Sequence, residues 1–326
     1  MVSSGFFSVF ASTRRLFVRV GLVVVMTILL KINWECSMYQ SYQDLNLGGG
    51  LGVIAWTDAE GEGALKTTNI GGIYSYKFIL IPRKSDVQVG LQANFVNKSI
   101  DWNRFVFSDQ LDPAQGNILP TAAVPGSASK VFADFNAGII WRVSEPPAGR
   151  HWASSVGLAL QHLTQPNQSL TGNPSKLPMK LTVHGSLYIP VDLYKASPSM
   201  YFAPALIYEQ QANFQTFNVG GYFMKKPIFF GLWYRNRSPV IDFKNSDAVI
   251  FHIGLRSRIK KIWAYQIGYS YDITISKLGL PSSAGSHEIS IIFEYDYYKL
   301  TNVSGLGQDK SNSCPDFYGT GDMPKF

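Results

Sequence analysis

Charge is scarce in this chain: Asp, Glu, Lys and Arg make up 16% of its 326 residues, against about 25% in a typical soluble domain. A surface that thin in charge suits a protein facing something less polar than water. Cysteine is nearly absent as well. Cys36 and Cys314 lie near opposite ends, which excludes a disulfide framework and leaves no metal-ligand spacing; the two could bridge only if the chain ends meet. The five histidines, His151, His162, His184, His252 and His287, include no i, i+2 or i, i+4 pair to hold a metal and are read as structural polar residues. Gly-x-Ser-x-Gly, HExxH and Cys/His pairs are also missing, and with them the common hydrolase and zinc-enzyme signatures. The chain is therefore read as non-enzymatic, with no cofactor and no metal.

Long hydrophobic runs are lacking too. The longest, Val20 to Leu30 in "RRLFVRVGLVVVMTILLKINWEC", sits between Arg19 and Lys31 and is too short for a spanning helix, which needs about 20 apolar residues. A run of about 7 to 15 behind positive charge suits the apolar region of an export signal. No small-residue cleavage box follows Leu30, so residues 1–35 are read as signal-like with the last part missing.

Aromatics, by contrast, reach 14%, with 29 glycines and 17 tyrosines, and mean hydropathy is +0.01. Apolar and polar residues alternate instead of clustering. In "DVQVGLQANFV", Val87, Val89, Leu91, Ala93 and Phe95 share one face while Gln88, Gly90, Gln92 and Asn94 share the other. "KIWAYQIGYSYDI" and "HEISIIFEYDYY" repeat the pattern, and no sustained helical period follows residue 36. About thirteen strands are legible by length and alternation, from Met38–Asp44 to His287–Tyr298. Many run about ten residues, the length of a tilted membrane strand. The fold class is all-β, a transmembrane antiparallel β-barrel. A soluble β-sandwich would carry charge on its outward face, whereas here the polar faces are mostly Gly, Ser, Gln, Asn and Tyr, and charge gathers in the connections.

Connection lengths alternate. "SIDWNRFVFSDQLDPAQGNILPTAAVPGSASK" and "LTQPNQSLTGNPSKLP" are long, "SEPPAGR" and "RSRIK" short, with the tight "QAN" turn as the exception. Outer-membrane barrels place short turns in the periplasm and long loops outside. This phase puts the basic turns Arg83-Lys84, Lys225-Lys226 and Arg256 to Lys261, and the tail of residues 300–326, on the inner side. Despite a net charge of +7, the basic residues form no stripe interleaved with aromatics, so nucleic acid is not an expected partner. "TDAEGEGAL" offers Asp58, Glu60 and Glu62 but lacks the calcium-loop pattern; it reads as a solvated hairpin, with a surface cation site as the other reading. "GGGLG" opens a strand, not a helix, and so makes no phosphate cradle.

Several segments taken together resemble the PorP/SprF family of outer-membrane barrels of type IX secretion and gliding systems in the Bacteroidota. They are "YQSYQDLNLGGGLGVIAWTDAEGEGALKTTNIGGIYSYKF", "VGLQANFVNKSIDWNRFVFSDQLDP", "LALQHLTQPNQSL" with "LPMKLTVHGSLYIPV", "GLWYRN", and "IGYSYDITISKLGLPSSAGSHEISIIFEY". The resemblance implies a non-enzymatic barrel of about fourteen strands that works with secretion components. It would help particular exported surface proteins, such as large adhesins carrying C-terminal secretion signals, to be secreted or attached. It also singles out His162, Thr164, Gln165, Pro166, Asn167, Leu177, Pro178 and Met179 as a repeated loop motif, which would either shape a loop or bind a partner.

Family members carry a signal peptide, an "NPA"-type segment and a further strand before the stretch matching Ser41 to Asp44. Nothing of that kind precedes Met38. The expected organisation is a signal-like, truncated or misassigned segment over 1–35, a barrel over 36–299 lacking its first strand, and a periplasmic tail over 300–326. An outer-membrane pore or transporter for small hydrophobic or polar solutes is the alternative function, since a barrel of this size is wide enough unless plugged.

Overall fold

The computed structural model describes residues 17–29, 31–45, 49–60, 65–81, 84–112, 114–122, 126–144, 152–191, 200–225, 227–238, 245–259, 263–276 and 285–296. The strands in chain order are β1 (Phe17–Leu29), β2 (Lys31–Leu45), β3 (Gly49–Glu60), β4 (Leu65–Ile81), β5 (Ser85–Ser99), β6 (Leu111–Asp112), β7 (Gly116–Asn117) and β8 (Ser129–Ser144). They continue as β9 (Ala153–Gln161), β10 (Lys180–Pro190), β11 (Met200–Gln211), β12 (Phe214–Lys225), β13 (Ile228–Asn236), β14 (Ser246–Ile259), β15 (Trp263–Thr274) and β16 (Ser286–Asp296). β6 and β7 form a small hairpin within the connection after β5. The other strands build one closed antiparallel barrel in which spatial order follows chain order.

All thirteen expected strands fall on wall strands, from β2 to β16. The remaining wall strand corrects the reading of the N-terminal segment. Phe17–Leu29 is a strand, pairing with β16 from Phe17 opposite Asp296 to Met26 opposite His287, and with β2 from Arg19 opposite Ser41 to Leu29 opposite Lys31. The barrel wall thus begins at Phe17 instead of residue 36, and its closing strand lies within the chain. The physical reason is an ambiguity of short apolar runs: about ten residues rich in Val and Leu satisfy a membrane strand as well as an export signal. Residues 1–16 and 300–326, the rest of the two terminal segments, lie outside the described residues.

The side chains are distributed inside out. Along β5, Val89, Leu91, Ala93 and Phe95 are exposed while Gln88, Gln92, Asn94 and Val96 are buried. Leu91 is 58% exposed and Gln88 only 2%. The same inversion recurs with exposed Leu158, Phe230, Leu232, Ile253, Ile267 and Phe293 against buried Asp134, Asn136, Arg142, Thr182 and Gln266. Polar groups line the lumen and apolar groups form the outer band, as a bilayer requires. Exposed Tyr76, Phe78, Trp141 and Trp152 lie toward one end of that band, where amphipathic rings meet headgroups.

Connections at that end are short, at residues 82–84, 226–227 and 260–262, and those at the opposite end include the long 100–128 and 162–179. Toward the short-turn end the lumen holds an aromatic cluster of Tyr188, Tyr201, Met224, Phe229 and Ala153. Tyr188 stacks on Tyr201 with centroids 4.5 Å apart, and Tyr222 stands edge-on to Phe229, Trp233 and His252. Gly231 makes this possible, because a Cβ there would stand 2.5 Å from Tyr222 Cε1.

Leu91→Arg separates this fold from a soluble sandwich. In the bilayer it should cost about 2–4 kcal/mol, read by urea unfolding in lipid vesicles; in a sandwich the same exposed position would be indifferent.

Candidate functional site

The lumen face of β5 and β8 forms a column of opposed pairs. From the short-turn end it runs Asp86–Arg142, Gln88–Ile140, Gly90–Gly138, Gln92–Asn136, Asn94–Asp134, Val96–Phe132 and Lys98–Lys130. At its foot, Arg142 Nε donates to Asp86 Oδ1 at 2.9 Å and Arg142 Nη2 to Gln88 Oε1 at 2.8 Å. Gln88 Nε2 passes a hydrogen bond on to Ser75 Oγ at 2.8 Å, and Lys77 Nζ stands 3.5 Å from Asp86 Oδ2. Across the wall, Lys180 Nζ lies 2.8 Å from Glu209 Oε1. Buried polar groups are tolerable only when satisfied in this way.

Near its long-loop end the column carries a loop. Asp134, almost fully buried, accepts from His162 Nδ1 through Oδ2 at 3.0 Å. The His162 backbone N–H donates to Asn136 Oδ1 at 2.9 Å, and Leu163 N–H to Phe135 O at 3.0 Å. His162 and Gln165 hold φ of 58° and 44°, a left-handed conformation unusual for either residue, so the surrounding bonds must impose it. Gln165 N–H then closes on His162 O at 3.0 Å, and Leu177 N–H on Pro166 O at 2.9 Å. Asn167 Oδ1 accepts from Ser169 N–H and Ser175 N–H. Pro178 O accepts from Gln211 Nε2 at 3.0 Å, tying the loop to β11.

The eight motif residues are thus gathered in one ordered loop. His162, Pro166, Asn167, Leu177 and Pro178 shape it through these bonds. Thr164, Gln165 and Met179 present exposed side chains at the rim. Asp58 and Glu60 stand elsewhere on that rim, in β3 opposite Thr67 and Leu65 of β4, and Glu62 lies outside the described residues.

A second rim cluster was not singled out from the sequence. Arg235 Nη2 donates to Asp272 Oδ2 at 2.8 Å, and Asp247 lies 3.8 Å from Arg235 and 2.8 Å from Arg237. Asp247 reaches them through a register shift: Arg235 opposes Ala248 and Asn236 opposes Ser246, so Asp247 has no opposite number in β13. Such a bulge re-aims a side chain. The available signal was the Arg-Asn pair ending "GLWYRN", a charge at a position in phase with the lumen-facing Trp233.

Two outcomes follow. Asp134→Ala should raise protease cleavage within 162–179 by about tenfold, the loss of one charge-assisted hydrogen bond, while the barrel keeps its heat-modifiable gel mobility. Arg235→Ala strands the Asp272 carboxylate, while Asp247 keeps Arg237 at 2.8 Å, and should cost about 2 kcal/mol, read by urea unfolding in vesicles. That is less than a fully buried pair would lose, since the guanidinium retains 23% exposure.

Comparison with known proteins adds the following. Among solved structures the fold is similar to the KdgM porin, with a TM-score of 0.40 and 8% identity over 86% of this chain and 99% of that one. It is similar to CdiB from Acinetobacter baumannii, with a TM-score of 0.47 and 8% identity over 87% and 60%, and to the Ralstonia pickettii toluene transporter TbuX, with a TM-score of 0.44 and 10% identity over 87% and 89%. Scores this low carry no functional reading. No curated protein matches the sequence. The family described as type IX secretion system membrane protein PorP/SprF matches residues 36–293, a span covering β3 to β15 and most of β2 and β16. The chain is an outer-membrane β-barrel that belongs to the PorP/SprF family of type IX secretion system membrane proteins.

Proposed function

We propose that this barrel is a non-catalytic accessory of type IX secretion that receives particular exported proteins, large adhesins of gliding systems among them, at its long-loop end and assists their secretion or surface attachment. The observation that carries this reading is the loop of residues 162–179, locked to the lumen wall through His162, Asp134 and Asn136. A loop kept in left-handed backbone geometry at the rim is a prepared surface, and preparation lowers the ordering cost of binding. In this reading the long loops face outward. Thr164, Gln165 and Met179 contact the exported protein, with Asp58, Glu60 and Glu62 on the neighbouring rim. The short basic turns and the tail of residues 300–326 face the periplasm and meet the secretion components.

Deleting the gene should stop secretion or attachment of a defined set of surface proteins, measured by proteomics of washed cells and culture medium. Replacing residues 164–177 by a short Gly/Ser linker should reproduce that loss while the barrel still assembles. Unchanged secretion in both strains, together with steady solute conductance of the protein in planar bilayers, would sink the accessory role in favour of a pore.

A further inference from the structure

We propose that Lys98 and Lys130 form an anion site at the long-loop mouth of the lumen that takes carboxylate side chains of the exported polypeptide; it rests on the reading above and names the chemistry of the contact.

Lys98 lies directly opposite Lys130 in the β5–β8 ladder, in phase with the buried lumen residues Gln92, Asn94, Asp134 and Asn136. Two residues so opposed hold their Cβ atoms about 5 Å apart, and like charges in that arrangement repel. The same two strands match Arg142 with Asp86 at the other end of the column, so the unmatched pair is specific to the mouth. Among the described residues neither lysine has a carboxylate at ion-pair distance. Lys98 Nζ instead donates to the neutral Gln168 Oε1 at 3.0 Å.

The described acids of the connection after β5, and Asp134 in the column, are engaged elsewhere. Asp101 binds Asn103 N–H and Arg104, Asp109 binds Thr121 and Ala122 N–H, and Asp112 binds Ala114 N–H and Gln115 N–H. Asp134 binds His162. Gln168 is itself fixed, since its N–H donates to Ser175 O at 2.9 Å. The uncompensated charge therefore stands on an ordered frame.

The face decides the source of the anion. Val131, next to Lys130, points to the outer band and is exposed there, so the lysines project away from lipid headgroups and toward the lumen mouth. What passes there in this reading is polypeptide. Ammonium groups on flexible stems suit carboxylates of varied position better than a rigid guanidinium fork would.

Binding of a fluorescent hexaglutamate peptide to the full-length protein in detergent, followed by anisotropy, tests the site. Wild type should bind with affinity that falls as salt rises. Lys98→Gln/Lys130→Gln should weaken binding by about tenfold and flatten the salt dependence, while Lys98→Arg/Lys130→Arg retains it. Lys130→Gln alone should raise the thermal unfolding midpoint, because it relieves the opposed charges and leaves the bond from Lys98 to Gln168 in place. Equal hexaglutamate binding by the Gln double variant overturns the proposal, as does displacement of the peptide by inorganic phosphate at equal concentration of charge. In cells, a deletion strain that secretes normally overturns the accessory reading, whereas a secretion-defective deletion beside a normally secreting K98Q/K130Q strain overturns this inference alone.

Discussion

The structure depends on one constraint: in hydrocarbon no water is available for a backbone N–H or C=O, so every such group needs a partner within the protein. A sheet meets this only by returning to its first strand. The pairing of β1 with β16 is that return, and without it two edges would face lipid at a cost of several kcal/mol per open group. Closure then governs the rest. A closed wall has one inside and one outside, so successive residues of a strand point to the two sides in turn, and a slip of one residue would exchange lipid-facing and lumen-facing sets entirely.

Closure around a lumen also inverts the usual economy of a core. The apolar groups of β5 gain nothing by hiding from water, because the solvent outside is lipid; the polar groups facing inward must instead satisfy one another. Arg142 does this for Asp86 and Gln88 together, and Arg235 bridges Asn218 and Asp272. Where ring packing replaces hydrogen bonding, the wall must yield space, as Gly231 does beneath Tyr222. Where a carboxylate must be brought to a guanidinium, the strand must break register, as at Asp247. Glycines and bulges are thus consequences of filling the inside of a curved wall.

The wall was legible in the sequence because its signal is local. Period two in "DVQVGLQANFV" states which residues face lipid, and no knowledge of neighbouring strands is needed. β1 is ambiguous in the sequence because its run of Val and Leu is continuous instead of alternating, and a continuous apolar run of that length fits two structures with different fates. The loop motif was visible as "HLTQPN" and "LPM", yet its geometry was not. Nothing local to His162 announces Asp134 and Asn136, which lie on the preceding strand and become neighbours only through the β8–β9 pairing. The Arg235 cluster was hidden for the same reason: its partners, Asp247 and Asp272, come from two further strands, and one of them arrives by a bulge.

The column along β5 and β8 shows why the two ends of such a barrel differ in kind. At the short-turn end the chain has few residues with which to build anything beyond the wall, so charge is matched within the wall by Asp86, Arg142 and Lys77. At the long-loop end the connections bring their own hydrogen-bonding groups, and the wall supplies anchors: Asp134 for His162, Lys98 for Gln168, Gln211 for Pro178. An anchored loop keeps its conformation without a hydrophobic core, because its bonds end on a closed sheet that cannot shift register. Variation in loop sequence can then alter what the rim presents without disturbing the wall, provided that the anchoring residues remain. The same separation explains how like charges at Lys98 and Lys130 can persist: the ladder that holds them opposite one another is fixed by closure, whose free energy far exceeds the repulsion between two partly solvated ammonium groups.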